Sequence, residues 1–415
     1  MLTHDQTLTA AAPATVPAMA MPRSALAPYG ISERSLAQTA NPIRELLKLV
    51  EDPKVMSFAG GLPDPALFPR AEIAAALDRV VTAKTPDTLQ YGVTVGSTRL
   101  RERLAQMMQN RYGVICSAAN IVLTTGSQQA IDLAVRVLHN PGDAIAVEDP
   151  TYLGALQVFR AGGAQFTGFD TPCARRVALG YLIPDFCNPT GQSLTEAARL
   201  DHLEAAERGR YMLLEDAAYI ELTYDRPRAK SLLALDVERC GNIEDARTLF
   251  LGTLSKTLMP GLRVGWACGP ADVIARMTQL KECADILSPQ LLQEAACDML
   301  DSSFDTHVAR IRATYRVRRD AMMAALEASM PQGVRWTQPG GGMFTWLELP
   351  DHVDADALLP RIIREVGLAY VPGRHFMALN PRGNFLRLSF SIHETDRLAD
   401  GIARFGAYLG QVVQE

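Results

Sequence analysis

A chain of 415 residues that is 48% hydrophobic is globular and has room for two or three domains, which excludes the disordered and fibrous classes. With 41 Lys and Arg against 46 Asp and Glu, the net charge is −5; no basic stripe argues for nucleic acid or another polyanionic partner. The 7 cysteines are scattered without a CxxC pair, which fits a reduced cytoplasmic compartment and neither a zinc site nor a disulfide framework.

Residues 1–30, rich in Ala, Thr and Pro, read as a flexible tail, because they lack the basic start and continuous apolar core of a secretion signal. No apolar run reaches membrane-spanning length. Ile43 to Val50 places apolar residues at helical spacing and is closed by Pro53. The segment Met56 to Pro65 holds Gly60, Gly61, Pro63 and Pro65, so it predicts irregular backbone that can approach a neighbour closely. Leu89-Gln90-Tyr91-Gly92 reads as a second loop, and Ser97 to Tyr112 as a helix.

From Ile121 to about Gly269, short apolar strands alternate with helices, the pattern of a mostly parallel α/β sheet. Ile121 to Thr124 leads through Gly126, Ser127 and Gln128 into a helix over 130–138. A strand, a glycine turn and a helix start present free N–H groups to an anion. Further strands end at Glu148 to Tyr152, at Asp185 to Gly191 with Asn188, and at Glu215 to Tyr219 with Asp216. Ligands of open α/β sheets sit beyond the carboxyl ends of the strands, and here those ends carry polar or aromatic residues. From about Phe304 a long basic helix over 307–330 precedes strands at 342–347 and 384–390, which predicts a smaller α+β domain.

The run Thr248 to Gly265 is the most unusual. An apolar strand ends in Thr253, Ser255, Lys256 and Thr257, and Arg263 follows beside Gly261 and Gly265. A lysine there is either a snorkelling surface residue or a desolvated amine, nucleophilic near neutral pH and able to form a Schiff base. The histidines are scattered, so no metal is implied. A lysine for an aldehyde, an acid for a pyridine nitrogen and an anion site for a phosphate together suit pyridoxal phosphate.

The motifs extend this. Ser57 to Pro63, Leu89 to Gly92, Thr124 to Gln129, Asp149 to Tyr152, Asn188 to Gly191, Ser255-Lys256, Gly261 to Gly265, Pro339 to Phe344 and Arg387 to Phe390 stand in one order. In these the chain resembles the fold-type I pyridoxal-phosphate aminotransferases, in the branch of 2-aminoadipate, kynurenine and related broad-range enzymes. The resemblance covers roughly residues 31–410 and implies an α/β fold. It implies an arm over 31–58 associated with the small domain, a large cofactor domain over 59–304 with a mostly parallel sheet between helices, and a small domain over 305–415.

The resemblance also implies roles. Lys256 holds the cofactor as a Schiff base and moves the substrate's Cα proton; Asp216 pairs with the pyridine nitrogen; Tyr219 and Asn188 bind the ring's phenolic oxygen, and Tyr152 stacks on the ring. Gly126, Ser127, Gln128, Thr253, Ser255 and Arg263 surround the phosphate, and Tyr91 reaches that of a neighbouring subunit, giving a homodimer with shared active sites. Arg387, with Asn188 and backbone near Gly60, takes the substrate's α-carboxylate; Arg44 aligns with an arginine that can read a distal carboxylate. The expected activity is ping-pong transfer of an α-amino group from an L-amino acid to 2-oxoglutarate or pyruvate. Two alternatives stand beside it: elimination, racemisation or decarboxylation on the same scaffold, and a regulator lacking its DNA-binding domain.

Overall fold

The computed structural model describes residues 30–32, 35, 55–83, 88–225 and 227–413; the expected helix over 43–50, with Arg44, and nearly all of the expected tail lie outside them. In chain order the first strand, β1 (Met56–Ser57), precedes helices α1 (Arg70–Thr82) and α2 (Thr98–Tyr112). Ser97 caps α2 through its side chain, and Gly113 ends it in the left-handed conformation that suits glycine.

The central region runs β2 (Ile121–Thr124), α3 (Ser127–Leu138), β3 (Ala144–Val147), α4 (Leu153–Ala161), β4 (Gln165–Thr167) and β5 (Val177–Leu182). It continues through α5 (Glu196–Gly209), β6 (Met212–Asp216), α6 (Leu232–Cys240), β7 (Thr248–Thr253), β8 (Gly265–Cys268), α7 (Ala271–Asp285) and α8 (Gln290–Ser302). These strands form one seven-stranded sheet in the order β2-β8-β7-β6-β5-β3-β4. Every pairing from β7 through β4 is parallel, while β8 runs antiparallel to both of its neighbours.

Alternation along β7 shows how the sheet is covered. Phe250 lies in one buried cluster with Leu104, Met108 and Trp266, and Leu249 and Leu251 lie in another with Ile131, Leu179 and Ile274. A strand apolar on both faces is what a sheet between two helix layers requires. This layering carries Lys256, because the strand that delivers it is pinned from both sides.

The remainder runs α9 (Phe304–Ser329), β9 (Arg335–Trp336), β10 (Phe344–Glu348), α10 (Ala355–Glu365), β11 (Leu368–Ala369), β12 (Val371–Pro372), β13 (Phe385–Ser389) and α11 (Thr395–Val412). A four-stranded antiparallel sheet, ordered β12-β13-β10-β9, shares a third core with α9 and α11. Strand β1 pairs in parallel with β11, and Met56 and Phe58 are buried in that same core. Residues 59–64 therefore leave the small sheet and run back to the large one.

Candidate active site

Strands β2, β3, β5, β6 and β7 share one direction, so their carboxyl ends lie along one edge of the sheet. The reversal of β8 brings its first residue to that edge as well: Gly265 faces Thr124 on one side and Thr253 on the other. Arg263, two residues earlier, thereby joins the edge although it precedes its strand. Its backbone sits at φ 51°, a left-handed conformation that costs a side chain about 1–2 kcal/mol. Its guanidinium returns to the glycine turn, where Nη2 donates to the Thr125 carbonyl.

That turn is built for close approach. Gly126 has φ 109°, and a Cβ there would lie 2.8 Å from Nη2 of Arg263. Gly126 offers α3 no side-chain cap, and the first N–H groups of a helix have no acceptor within it, so Ser127 and Gln128 stand at an electropositive end. Across the edge, Thr253 accepts from the Ser255 N–H at 3.1 Å and donates to the Ser255 hydroxyl at 2.8 Å, which orients Ser255. Tyr152 is half-buried, with its hydroxyl 3.3 Å from Oε1 of Gln128.

Lys256 donates to the Gly61 carbonyl at 2.8 Å. Part of its surface is open, yet the amine lies deep enough that desolvation, with help from the Arg387 and Arg263 charges, lowers its pKa to about 8; Asp216 opposes the shift. Asp216 is buried at the end of β6. Desolvation pushes its carboxyl up to about 6, while the hydrogen bond from Tyr181, the nearby Ala218 amide dipole and the Lys256 charge pull it back. Its Oδ2 accepts from the Tyr181 hydroxyl at 2.8 Å; its Oδ1 has no hydrogen-bond partner among the described residues. Tyr219 is buried beside Asn188, which hydrogen-bonds it, and burial raises its phenol well above the ordinary value.

Arg387 is 2% exposed, in the middle of β13. Nη1 donates to Oδ1 of Asn188 and Nη2 to the Ala59 carbonyl, each at 2.6 Å. The guanidinium lies 4.2 Å from the ring centre of Phe344 and 5.0 Å from that of Phe376. Desolvation lowers its pKa to about 10, so it stays charged at neutral pH. A guanidinium has five donors; two are engaged here, and the buried Nε has no partner among the described residues. That leaves capacity for a carboxylate.

Lys256, Asp216, Tyr219, Asn188, Arg387, Arg263 and the Gly126 to Gln128 turn are thus gathered around one sheet edge, with Gly60 buried beside them. Tyr91 stands apart, 79% exposed. The sequence pointed to backbone near Gly60 without the Ala59 and Gly61 carbonyls that hold Arg387 and Lys256, and assigned neither the aromatic clamp of Phe344 and Phe376 nor Tyr181. The Gly60-Gly61 pair and Phe344 at least lay within motifs; Tyr181 gave no signal beyond an aromatic in an apolar strand. The residues present fit pyridoxal phosphate. A low-pKa amine, a buried carboxylate oxygen left without a donor, and an N–H cradle that a Cβ would fill answer its aldehyde, ring nitrogen and phosphate.

Comparison with known proteins agrees. The family model for aminotransferase class I and II matches residues 53–175 and 180–405. An aromatic-amino-acid aminotransferase of Thermococcus litoralis is 38% identical over 392 residues, spanning 90% of this chain and 92% of the relative. The crystal structure of a kynurenine aminotransferase from Pyrococcus horikoshii in complex with PMP, KYN and KYA superposes with a TM-score of 0.86 at 38% identity, covering 93% of this chain and 98% of that one. An alpha-aminoadipate aminotransferase of Thermus thermophilus, complexed with N-(5'-phosphopyridoxyl)-L-leucine, gives 0.83 at 35% identity, with coverage of 93% and 98%.

Proposed function

The chain belongs to the class I and II aminotransferases, pyridoxal-phosphate-dependent enzymes of group 2.6.1, and from that premise we propose which residues carry the reaction and what they act on. Its architecture is that of fold type I. We read Lys256 as the Schiff-base lysine, Asp216 as the partner of the ring nitrogen, Tyr219 and Asn188 as donors to the phenolic oxygen, and Tyr152 as the ring's neighbour. The phosphate falls to Ser127, Gln128, Ser255 and Arg263 around Gly126, with Thr253 orienting Ser255. The observation that carries this reading is the pairing of a buried carboxylate, Oδ1 unengaged, with an amine drawn down to about 8.

When bound, pyridoxal phosphate supplies an electron sink for the bond that breaks at the substrate's Cα. Arg387 fixes the substrate's α-carboxylate with the donors it has left, and Asn188 and the Ala59 carbonyl hold the guanidinium in place. Lys256, neutral above about pH 8, would take the Cα proton and hand it to the bound cofactor and not back to Cα, because its amine lies at the same sheet edge as both anchors. Asp216 stays ionised above about pH 6 and keeps a positive ring nitrogen paired.

We further propose a broad range of L-amino-acid donors, aromatic and 2-aminoadipate-like among them, with 2-oxoglutarate or pyruvate as acceptor. The named activities of the relatives support this, and Arg44 stays the candidate for a distal carboxylate. A homodimer with Tyr91 entering the neighbouring site is supported by the apolar exposure of Leu89, Tyr91 and Val93 at 70%, 79% and 59%. Seven free thiols suit a cytoplasmic setting, and no helix among the described residues is long and apolar enough to cross a membrane. The division into an arm over 31–58, a large domain over 59–304 and a small domain over 305–415 is part of the same proposal.

The test is a single half-reaction. Cofactor-loaded protein mixed with one amino acid and no acceptor should release one equivalent of 2-oxo acid per site and then stop, the mark of ping-pong transfer. Continuous release of ammonia or CO₂, without oxo acid confined to one equivalent, would overturn transamination in favour of elimination or decarboxylation.

A further inference from the structure

The two oxygens of Asp216 are treated unequally. Oδ2 accepts from the Tyr181 hydroxyl at 2.8 Å, and Oδ1 has no hydrogen-bond partner among the described residues. Parallel pairing sets Tyr181 on β5 opposite Leu214 on β6, and alternation puts Leu214 and Asp216 on one face, so the tyrosine reaches along that face to the carboxylate. Tyr181 is fully buried, and the Phe159 ring meets it edge-on at 5.4 Å, which fixes the direction of the hydroxyl. A buried tyrosine needs a partner for its O–H; here the partner is a carboxylate at the end of the next strand.

We propose that Tyr181 is a positioning residue for the cofactor, occupying Oδ2 of Asp216 so that Oδ1 is the oxygen left to meet the ring nitrogen of pyridoxal phosphate. The assignment rests on the reading of Asp216 given above. A carboxylate rotates between two nearly equivalent settings, and a donor fixed on one oxygen removes that equivalence. The same bond favours the ionised carboxyl against burial. Asp216 is faced by Tyr181 from β5, Cys187 from the loop beyond it, Tyr219 from beyond β6 and Lys256 from beyond β7. The cation in that set is the amine that is itself half neutral near pH 8, so a hydroxyl that does not titrate in this range is the steadier support.

Tyr181→Phe keeps the ring and its contact with Phe159 and removes only the donor. Titrated with pyridoxal phosphate, the apo-protein variant should bind about tenfold to a hundredfold more weakly, the span of one charge-assisted hydrogen bond. In cofactor labelled with ¹⁵N in the ring, the nitrogen of the loaded variant should lose protonated fraction at pH 8, a signature that a packing defect does not produce. Asp216→Asn runs in parallel. If it loses both properties while Tyr181→Phe keeps both, the tyrosine assignment is overturned and the aspartate reading stands. If Asp216→Asn keeps the nitrogen protonated, both fall. Should Tyr181→Phe fail to fold, difluorotyrosine in place of Tyr181 preserves the shape and strengthens the donor; it should move the ¹⁵N signal, and an unmoved signal overturns the proposal.

Discussion

At pH 8 about half of the Lys256 amine is neutral, whereas an ordinary lysine in water would be under ~1% neutral at that pH. The rate at which apo-protein captures pyridoxal phosphate should therefore rise through pH 8 and level off. A rate still climbing towards pH 10 would contradict a buried amine. Stability follows with a definite sign. The folded amine releases its proton before the unfolded one, so between about pH 8 and its ordinary value of 10.5 the unfolded chain binds more protons, and the apo-protein gains stability as pH rises through that window. Asp216 acts oppositely: its folded pKa of about 6 lies above the ordinary 3.8, so its contribution favours the fold at low pH and is lost as pH rises from 3.8 to 6. Lys256→Met should remove the lysine's alkaline slope and carry the Asp216 window upward, because the charge that pulls that carboxyl down is gone, read by denaturant unfolding across pH. Arg387→Lys keeps charge but loses the planar fork held by Asn188 and Ala59, so the amino donor's KM should rise about tenfold to a hundredfold. An unchanged KM would remove Arg387 from the carboxylate site.

The elements explain how residues far apart in sequence arrive together, and how much of that could be read beforehand. Strand ends bearing Asp216 and Lys256 are legible because apolar runs stop abruptly at polar residues. The helix expected over 130–138 begins earlier, at Ser127, because Gly126 turns the chain straight into it. The reversed strand β8 is less legible: nothing in Gly265 to Cys268 distinguishes an antiparallel run from a parallel one, yet its direction is what sets Arg263 at the edge. Tyr181 is hidden for a related reason, since hydrophobic pattern records burial and not the partner of a hydroxyl. The carbonyls of Ala59 and Gly61 are hidden because backbone acceptors leave no residue-type signal. Glu215, one residue before Asp216, points to the other face and accepts the N–H groups of Leu232 and Leu233 at 2.8 Å each, closing the first turn of α6. Glu215→Gln should leave one of those buried donors unmatched and destabilise the protein by about 1–3 kcal/mol in urea unfolding. Cofactor affinity should be nearly unchanged, which separates this carboxylate from its neighbour.

Across the whole molecule, the stretch from Ala59 to Asp64 joins the large sheet to the long helix and the final strands. Asp64 accepts from Arg318 at 2.8 Å, and Arg318 also meets Glu394 at 2.6 Å and the Ser391 carbonyl. The Asp64 N–H donates to the Tyr315 hydroxyl at 3.0 Å, and the Ser391 hydroxyl donates to the Leu62 carbonyl at 2.7 Å. Arg318 is 2% exposed and Asp64 6%, so Arg318→Met strands a buried carboxylate and should destabilise the fold by about 3–5 kcal/mol. Denaturant unfolding gives the value; a loss below about 1 kcal/mol would place the pair among surface bridges. Because the same stretch supplies the Ala59 and Gly61 carbonyls, the variant should also bind its amino donor less well.

Those two carbonyls have a consequence for how substrate arrives. Lys256 and Arg387 are met by backbone dipoles, and a dipole engages a cation without cancelling its charge as a carboxylate would. Arg387 therefore keeps an uncancelled charge at the sheet edge, inside a molecule whose net charge is −5. An anionic oxo acid that nears Arg387 meets this charge, so its capture becomes an encounter guided by a local field. Such guidance weakens as salt screens it over about 10 Å at 0.1 M ionic strength, so added salt should slow the entry of a dicarboxylate more than that of a monocarboxylate.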